Sequence, residues 1–258
     1  MKPLKYLSFF RVGLREGLQY RANAVSGVFA TFISLVLFYY VWRAIAASGE
    51  LAQPFSSIIA YVALAQVINS STSADIESWV GERVRKGTIV NELKKPASLG
   101  LQLYFYQLGK SSFKIVTRGI PAVTAAILVL GIGLPSSGLM FFLSVFLSLN
   151  LVILLSYTTS MLVFWTKIGN SLRMIRFMVT ALLSGAMIPL YLIPENIVRF
   201  FRLTPFPSLV DAPISIYLGS SQGVLSVFAI QLFWIGFLLL FSQVLWKKAK
   251  KKLTVQGG

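Results

Sequence analysis

The sequence predicts an all-α membrane protein with six transmembrane helices, and three observations carry that prediction. Of the 258 residues, 56% are hydrophobic and only 12% are charged, a balance typical of proteins that cross a membrane several times. Six apolar runs are long enough to span a bilayer, which takes roughly 20 residues. The basic residues gather in segments that can all lie on one side of the membrane. The whole chain is therefore expected to form a single transmembrane domain.

The apolar runs and the segments between them give the expected layout. The six predicted spans are residues 24–46, 54–72, 115–134, 138–165, 171–192 and 223–246. Around them lie an N-terminal part (1–23), spans one and two (24–72), a cytoplasmic segment (73–114), spans three to five (115–192), an external segment (193–222), span six (223–246) and a basic tail (247–258). Glycines and a proline between spans three and four predict a tight external hairpin there.

The distribution of basic residues predicts the orientation. All but three of the 24 Lys and Arg residues lie in the N-terminal part, in the segment after span two, near the start of span five, or in the tail. The exceptions are Arg43, Arg199 and Arg202. Because basic residues stay in the cytoplasm, both termini are expected there, with the chain in the plasma or inner membrane.

The N-terminal part and the external segment are expected to be helical as well. Residues 3–22 carry leucines and Phe10 at helical spacing with basic residues on the other faces, which favours a helix lying at the membrane interface over a plain basic flank. The external segment is rich in proline and aromatics and too apolar for a solvated loop. It is read as short re-entrant helices that dip into the outer half of the membrane.

Composition excludes several classes of function. The chain has no cysteine and no histidine, which rules out disulfides, thiolate or imidazole metal sites, and a histidine base. No cofactor and no metal are expected, and the chain is not expected to be an enzyme. The net charge of +16 flanks apolar runs, so it matches membrane lipids rather than nucleic acid. None of the eight carboxylates lies within an apolar run, which argues against ion-coupled transport.

Residues 75–87 carry the most informative local pattern. Ile76, Trp79, Val80 and Val84 form one apolar stripe at helical spacing, and Gly87 can end the helix. An amphipathic helix in a cytoplasmic segment needs a partner for its stripe. Periodicity alone leaves two partners open, the membrane surface and a groove on a soluble protein.

Several motifs, in order, resemble those of type-2 ATP-binding-cassette permeases. Residues 86–98 are similar to the family's signature of basic residue, glycine, leucine, basic residue, proline, small residue and serine after the second span. Residues 184–194 resemble its Ser-Gly and proline run after the fifth span, and residues 203–206 and 213–219 resemble the stretches that come next in those permeases. With six spans and an interfacial helix, the resemblance covers nearly the whole chain.

The resemblance implies a membrane subunit of an ATP-driven exporter. Its partners would be two copies of a cytoplasmic ATP-binding subunit and a second six-span permease, identical or homologous. Residues 75–87 would be the coupling helix, and its ATPase-docking residues would be Asp75, Ile76, Trp79, Val80, Glu82, Arg83, Arg85 and Gly87. The external gate would include Pro189, Pro194, Glu195, Pro205 and Phe206. The rival interpretations are an ion-coupled secondary transporter or channel subunit, and a non-transporting membrane scaffold.

Overall fold

The computed structural model describes residues 4–19, 21–49, 53–221 and 223–256, which form helices and no strand. In chain order the helices are α1 Leu4–Gln19, α2 Arg21–Ala47, α3 Phe55–Ser71, α4 Ile76–Arg85, α5 Ile89–Leu93, α6 Leu99–Lys114, α7 Ile120–Leu130, α8 Gly138–Ser160, α9 Val163–Thr166, α10 Gly169–Leu183, α11 Glu195–Arg202, α12 Asp211–Tyr217 and α13 Val224–Gln256. A π-turn at Ile115–Gly119 joins α6 to α7, and 3-10 turns lie at Leu190–Leu192 and Pro207–Leu209.

Five segments of the described chain are helical, long and apolar enough to cross a membrane. They are Val25–Ala47, Phe55–Arg85, Leu99–Leu130, Gly138–Thr166 and Val224–Lys252. The second of them joins α3 to α4, and the fourth joins α8 to α9. The prediction of an all-α membrane protein is confirmed, and these five segments contain most of predicted spans one, two, three, four and six.

The fifth predicted span, residues 171–192, takes a different form. Its helix, α10, has 15 residues, which is about 22 Å of helix against a hydrocarbon core of about 30 Å. The helix stops because Gly185 has a φ of +83°, a left-handed conformation that a glycine adopts without steric cost. Pro189 then keeps the following chain from returning to a regular helix.

The third predicted span, residues 115–134, begins earlier than expected. Helix α6, the π-turn and α7 form a continuous helical segment from Leu99 to Leu130, so the second half of segment 73–114 is part of this long helix. Pro121 lies two residues after the π-turn. Because a proline ring clashes with the carbonyl four residues before it, an extra residue in the turn accommodates Pro121 within a continuous helix.

Helix α1 packs closely along α6, through a glycine on each helix. A Cβ atom on Gly13 would lie 2.0 Å from the carbonyl oxygen of Tyr106, and one on Gly109 would lie 2.1 Å from that of Phe10. Only glycine allows two helix backbones to approach this closely. The predicted N-terminal helix is thus present over Leu4–Gln19, and its position at the membrane interface stays a prediction.

Two clusters of buried apolar side chains form the core. The first surrounds α3 and includes residues of α8, α12 and α13. The second surrounds α4 and includes residues of α6, α8 and α9. Helix α8 contributes to both, with Leu151 in the first cluster and Ile153 in the second. It therefore connects the surroundings of α4 with the centre of the helix bundle.

Candidate functional site

The apolar stripe of α4 is covered by the chain itself. Ile76 and Val80 are 2% and 0% exposed, and they pack in the second cluster with Leu103 and Ile153. Trp79 and Val84 are partly buried against the same cluster. The sequence left open what covers this stripe, and the structure shows that the chain's own helices cover it.

A glycine crossing brings α4 against the start of α10. A Cβ atom on Gly169 would lie 2.2 Å from the carbonyl oxygen of Glu77, and one on Gly81 would lie 2.7 Å from the Cα atom of Gly169. The two backbones are therefore in direct contact. A movement of α4 at this crossing must displace α10 as well, since packed interiors hold no free space to absorb it.

A fully buried carboxylate joins α4 to α8 and α10. Glu77 is 0% exposed, and the Nε atom of Arg176 donates a hydrogen bond to its Oε1 atom at 2.5 Å. Ser156 donates to Oε2 at 2.6 Å, and Thr159 donates to Oε1. Arg176 also donates to the carbonyl oxygen of Ala74 at 2.7 Å. Since a buried charge is costly unless it is paired and hydrogen-bonded, this network holds the first turn of α4 in one place.

A second ion-pair network holds the residue before α4. Lys110 on α6 forms ion pairs with Asp75 at 3.0 Å and with Glu16 of α1 at 3.2 Å. Lys114, one turn further along α6, donates to the carbonyl and hydroxyl oxygens of Ser73 at 3.0 Å each. Helices α1 and α6 thus support the chain that leads into α4.

The opposite side of α4 faces outward. Glu82, Arg85, Lys86 and Gly87 are exposed, and Lys86 pairs with Glu82 at 2.6 Å. The guanidinium carbon of Arg83 lies 3.5 Å from the centre of the Trp79 ring. Helix α4 therefore presents charged side chains away from the bundle, and its apolar stripe does not form this outer surface.

A groove of about 550 Å³ opens beside α4, between α1, α4 and α6. Phe9, Trp79 and Tyr106 are its aromatic residues. Its charged residues are of both signs and comprise Arg15, Glu16, Glu82, Arg83, Glu92 and Lys95. Such a lining complements a polar, charged surface better than an apolar helix.

The eight predicted docking residues therefore divide into three groups. Ile76 and Val80 are inside the bundle, and Asp75 is engaged with Lys110. Trp79 and Arg83 line the groove together with Glu82. Arg85 and Gly87 are exposed, as is Glu82. Docking of an ATPase by any of them stays a prediction.

Sequence reasoning missed the residues that hold α4 in place. Glu77 and Arg176 are 99 positions apart, and Gly81 and Gly169 look like ordinary helix and loop glycines. One signal was present: Arg176 lies in an otherwise apolar run, where an ionisable residue normally has a partner.

The external segment places its predicted gate residues at helix boundaries. Pro189 is buried and precedes the first 3-10 turn, and Pro194 precedes α11. Glu195 is exposed and pairs with Arg202 at 3.2 Å. Pro205 and Phe206 are partly buried, and Phe206 packs against the first cluster. These residues lie in short helices and turns, and their role as a gate stays a prediction.

The turn at Pro207–Leu209 reaches deep into the bundle. Ser148 of α8 donates to the carbonyl oxygens of Ser208 and Leu209 at 2.9 and 2.8 Å. Ser148 lies about 15 Å along α8 from its first residue, Gly138, at 1.5 Å per residue. Gln231 of α13 donates to Ser208 from the other side at 3.0 Å. The irregular backbone is thus hydrogen-bonded by the flanking helices near the middle of α8.

Asp211 comes directly after this turn and is a carboxylate that sequence reasoning overlooked. Its Oδ1 atom accepts a hydrogen bond from the Tyr61 hydroxyl of α3 at 2.8 Å, and its backbone N–H donates to Ser184 at 3.2 Å. The only hint in the sequence was that the largely apolar external segment contains a second acidic residue besides Glu195.

Long apolar helices, a helix held against them by buried ion pairs, and a proline-rich segment inserted between them describe the membrane subunit of a transporter. A model of the ABC-2 family transporter proteins matches residues 27–257. The chain belongs to this family and is a type-2 ATP-binding-cassette permease. A comparison with curated proteins finds no match.

Proposed function

We propose that this chain is the membrane-spanning subunit of an ATP-driven exporter, and that α4 is its coupling helix. A separate cytoplasmic subunit would bind and hydrolyse ATP. The observation that carries the proposal is that the two sides of α4 have different surroundings. One side is fixed to α8 and α10 through Glu77 and the Gly81–Gly169 crossing, and the other presents exposed charges beside a groove.

This arrangement supports a mechanical route from the ATPase to the substrate pathway. A force on the exposed side of α4 would act on α10 through Arg176 and Gly169, because both contact the first two turns of α4. Nucleotide binding would then favour one of two arrangements of the spans by interacting differently with each. ATP binding and hydrolysis would alternate between them.

The proposed assembly contains two such permeases, identical or homologous, and two ATPases. The support for a second permease is an exposed apolar face on α10, the helix that also carries Arg173 and Arg176. The exposed apolar residues on α10 are Met174, Ile175, Phe177, Met178 and Leu182. A second permease could cover this face, and membrane lipids would cover α2 and α13.

The proposed topology keeps six crossings with both termini in the cytoplasm. Helix α10 would start the fifth crossing, and the chain through Pro189 and α11 would complete it. The external segment would then close the pathway from outside, with Pro205 and Phe206 at the closure. The support for this arrangement is the depth of the Pro207–Leu209 turn between α8 and α13.

A charge reversal on α4 tests the ATPase contact. We expect Arg85→Glu to reduce co-purification of the ATPase subunit by about tenfold. A reversed charge on a docking surface faces like charges on the partner, which commonly costs about 1 kcal/mol or more of binding free energy. Pull-down from membranes that contain both subunits, with the amount of permease held equal, is the measurement.

The matched control is Arg199→Glu, which reverses an exposed arginine on α11 at the far end of the chain's spans. This control should leave co-purification unchanged. Equal recovery of the ATPase with Arg85→Glu and with the unaltered chain would reject α4 as the docking element. Equal losses in both variants would point to a general effect of charge.

Single cysteines test the topology and the gate, since the chain has none of its own. Glu195→Cys should react with an impermeant thiol reagent added outside, and Lys250→Cys should not. Phe206→Cys should be protected, because its ring packs against the first cluster, and its reactivity should change when ATP is trapped on the partner. Labelling of intact cells is the measurement.

Two outcomes would contradict these assignments. Reaction of Lys250→Cys from outside would place the C-terminus outside and remove the six-crossing layout. Equal labelling of Phe206→Cys and Glu195→Cys under all conditions would make the external segment an ordinary surface loop.

A further inference from the structure

Asp211 lies at a depth in the bundle where a charged carboxylate is costly, so its presence there calls for an explanation. It comes after the turn whose carbonyl groups bind Ser148 and Gln231 well inside the bundle. It is only partly buried, so it faces accessible space. An ionisable group at membrane depth usually marks a ligand or ion pathway, because holding a charge there is expensive.

The surroundings of Asp211 supply one hydrogen bond and no paired cation. Tyr61 donates the hydrogen bond, and within the described residues no basic side chain forms an ion pair with Asp211. The charge of Arg202 influences it, but that side chain is exposed and paired with Glu195. The negative charge of an ionised Asp211 is therefore incompletely compensated.

Aromatic rings complete the site. Tyr61 and Tyr191 meet edge to face, with ring centres 5.6 Å apart. Tyr61 is buried and Tyr191 is exposed, so the pair leads from the surface towards the carboxylate.

Two hydroxyl groups at the C-terminal end of α10 lie near the same backbone. Ser184 accepts the Asp211 N–H through its carbonyl, and its side-chain oxygen is buried without a hydrogen-bond partner. The Thr180 hydroxyl, one turn earlier, is also buried and unpartnered. Unsatisfied oxygens at membrane depth cost free energy unless a ligand or water supplies donors.

We propose that Asp211, Tyr61 and Tyr191 form a binding site for the cationic ammonium group of an amphipathic cargo. A carboxylate beside aromatic faces is the arrangement that attracts organic ammonium ions, by charge and by cation–π interaction. Such a cargo would keep its apolar part among the spans and place its ammonium group at Asp211. As a step in transport the proposal rests on the proposed permease function; binding itself does not.

The binding should compete with protonation of Asp211. A carboxyl group loses its negative charge when it is protonated. Only the ionised form attracts an ammonium ion, so cation affinity should rise as increasing pH ionises Asp211. The other groups that face Asp211 are Tyr61 on α3, Tyr191, and Arg202 on α11.

Calorimetry on the purified permease in a maltoside detergent tests the site. The probes share one chain length: hexyltrimethylammonium, hexyl sulfate and neutral hexyl glucoside. The unaltered chain should bind the ammonium probe with a saturable isotherm and in preference to the other two. Asp211→Asn, which keeps an acceptor for Tyr61, should weaken that binding at least tenfold and remove its pH dependence.

Two further variants separate a binding role from a structural one. Tyr191→Leu should weaken ammonium binding about threefold, the size expected for a cation–π contact near the surface. Glu92→Gln removes a carboxylate of α5 that pairs with Lys95, and it should leave ammonium binding unchanged. If Asp211→Asn fails to fold, Tyr191→Leu and the pH dependence of the unaltered chain still decide the question.

Three results would overturn the proposal. They are no preference for the ammonium probe, unchanged binding in a folded Asp211→Asn, or an equal loss in Glu92→Gln. Any of them would leave the Tyr61–Asp211 hydrogen bond as a structural contact between α3 and α12. The assay contains no ATPase, so a failure of the docking prediction would not affect it.

Discussion

Glu77→Ala is expected to lower the free energy of unfolding by about 3–5 kcal/mol, the cost of removing one partner from a buried ion pair. The substitution leaves the guanidinium of Arg176 buried without its carboxylate, and it leaves the hydroxyls of Ser156 and Thr159 without their acceptor. The midpoint of chemical or thermal unfolding of the purified chain measures the effect. Export driven by the ATPase should fall with it, because α4 loses its connection to α8 and α10.

The matched control is Glu195→Gln, because Glu195 forms exposed ion pairs with Arg199 and Arg202. Exposed pairs contribute roughly 0–1 kcal/mol, so its unfolding midpoint should barely move. A Glu77→Met, Arg176→Met double variant should recover most of the lost stability, since an apolar pair can replace a buried ion pair. A loss for Glu77→Ala no larger than for Glu195→Gln would mean that the buried network does not support α4.

Gly169→Ala is expected to force α4 and α10 apart. The new methyl group would lie 2.2 Å from the carbonyl oxygen of Glu77, which belongs to backbone and cannot rotate away. Overpacking of this kind typically costs about 1–3 kcal/mol. Because the crossing lies beside the Glu77 network, ATP-driven export should be lost to a greater degree than the amount of protein in the membrane. Transport into inside-out vesicles, normalised to permease content, measures it.

Gly236→Ala is the control for this substitution. Gly236 lies in α13, and a Cβ atom there would meet nothing within 4 Å. Alanine also favours helix over glycine, so stability should be unchanged or slightly higher. Normal export by Gly169→Ala would show that the two backbones can separate without consequence for coupling.

Most of the spans could be predicted from the sequence, because the length of an apolar run depends only on consecutive residues. Runs such as 24–46 and 138–165 appear in the structure close to their predicted positions. The run 171–192 does not form a helix of span length. An apolar composition fits both a helix and an irregular segment that is buried in protein, so it does not distinguish them. The difference between them lies in the conformation of Gly185, and sequence alone does not specify a φ angle.

The candidate site was predicted as a helix but not as a set of contacts. Periodicity identified α4 and its apolar stripe, but it does not show whether the residues that pack on the stripe belong to the same chain. The stabilising pairs are remote in sequence: Glu77 with Arg176, and Tyr61 with Asp211, which are 150 positions apart. The statement that no carboxylate lies within an apolar run holds along the chain. The proposed re-entrant fold would nevertheless bring Asp211 to membrane depth.

Helix α13 has a geometric consequence for the basic tail. Its 33 residues measure about 50 Å, which exceeds a hydrocarbon core of about 30 Å by roughly 20 Å. Ala249 is fully buried in the second cluster, where Trp246 meets the ring of Phe164, so the projecting part is fixed in rotation about its own axis. Its lysines, Lys247, Lys248, Lys250, Lys251 and Lys252, are therefore held at set heights and directions. Their positive charges therefore produce an electric field of fixed direction on one side of the protein. A flexible tail of the same composition could not produce such a field.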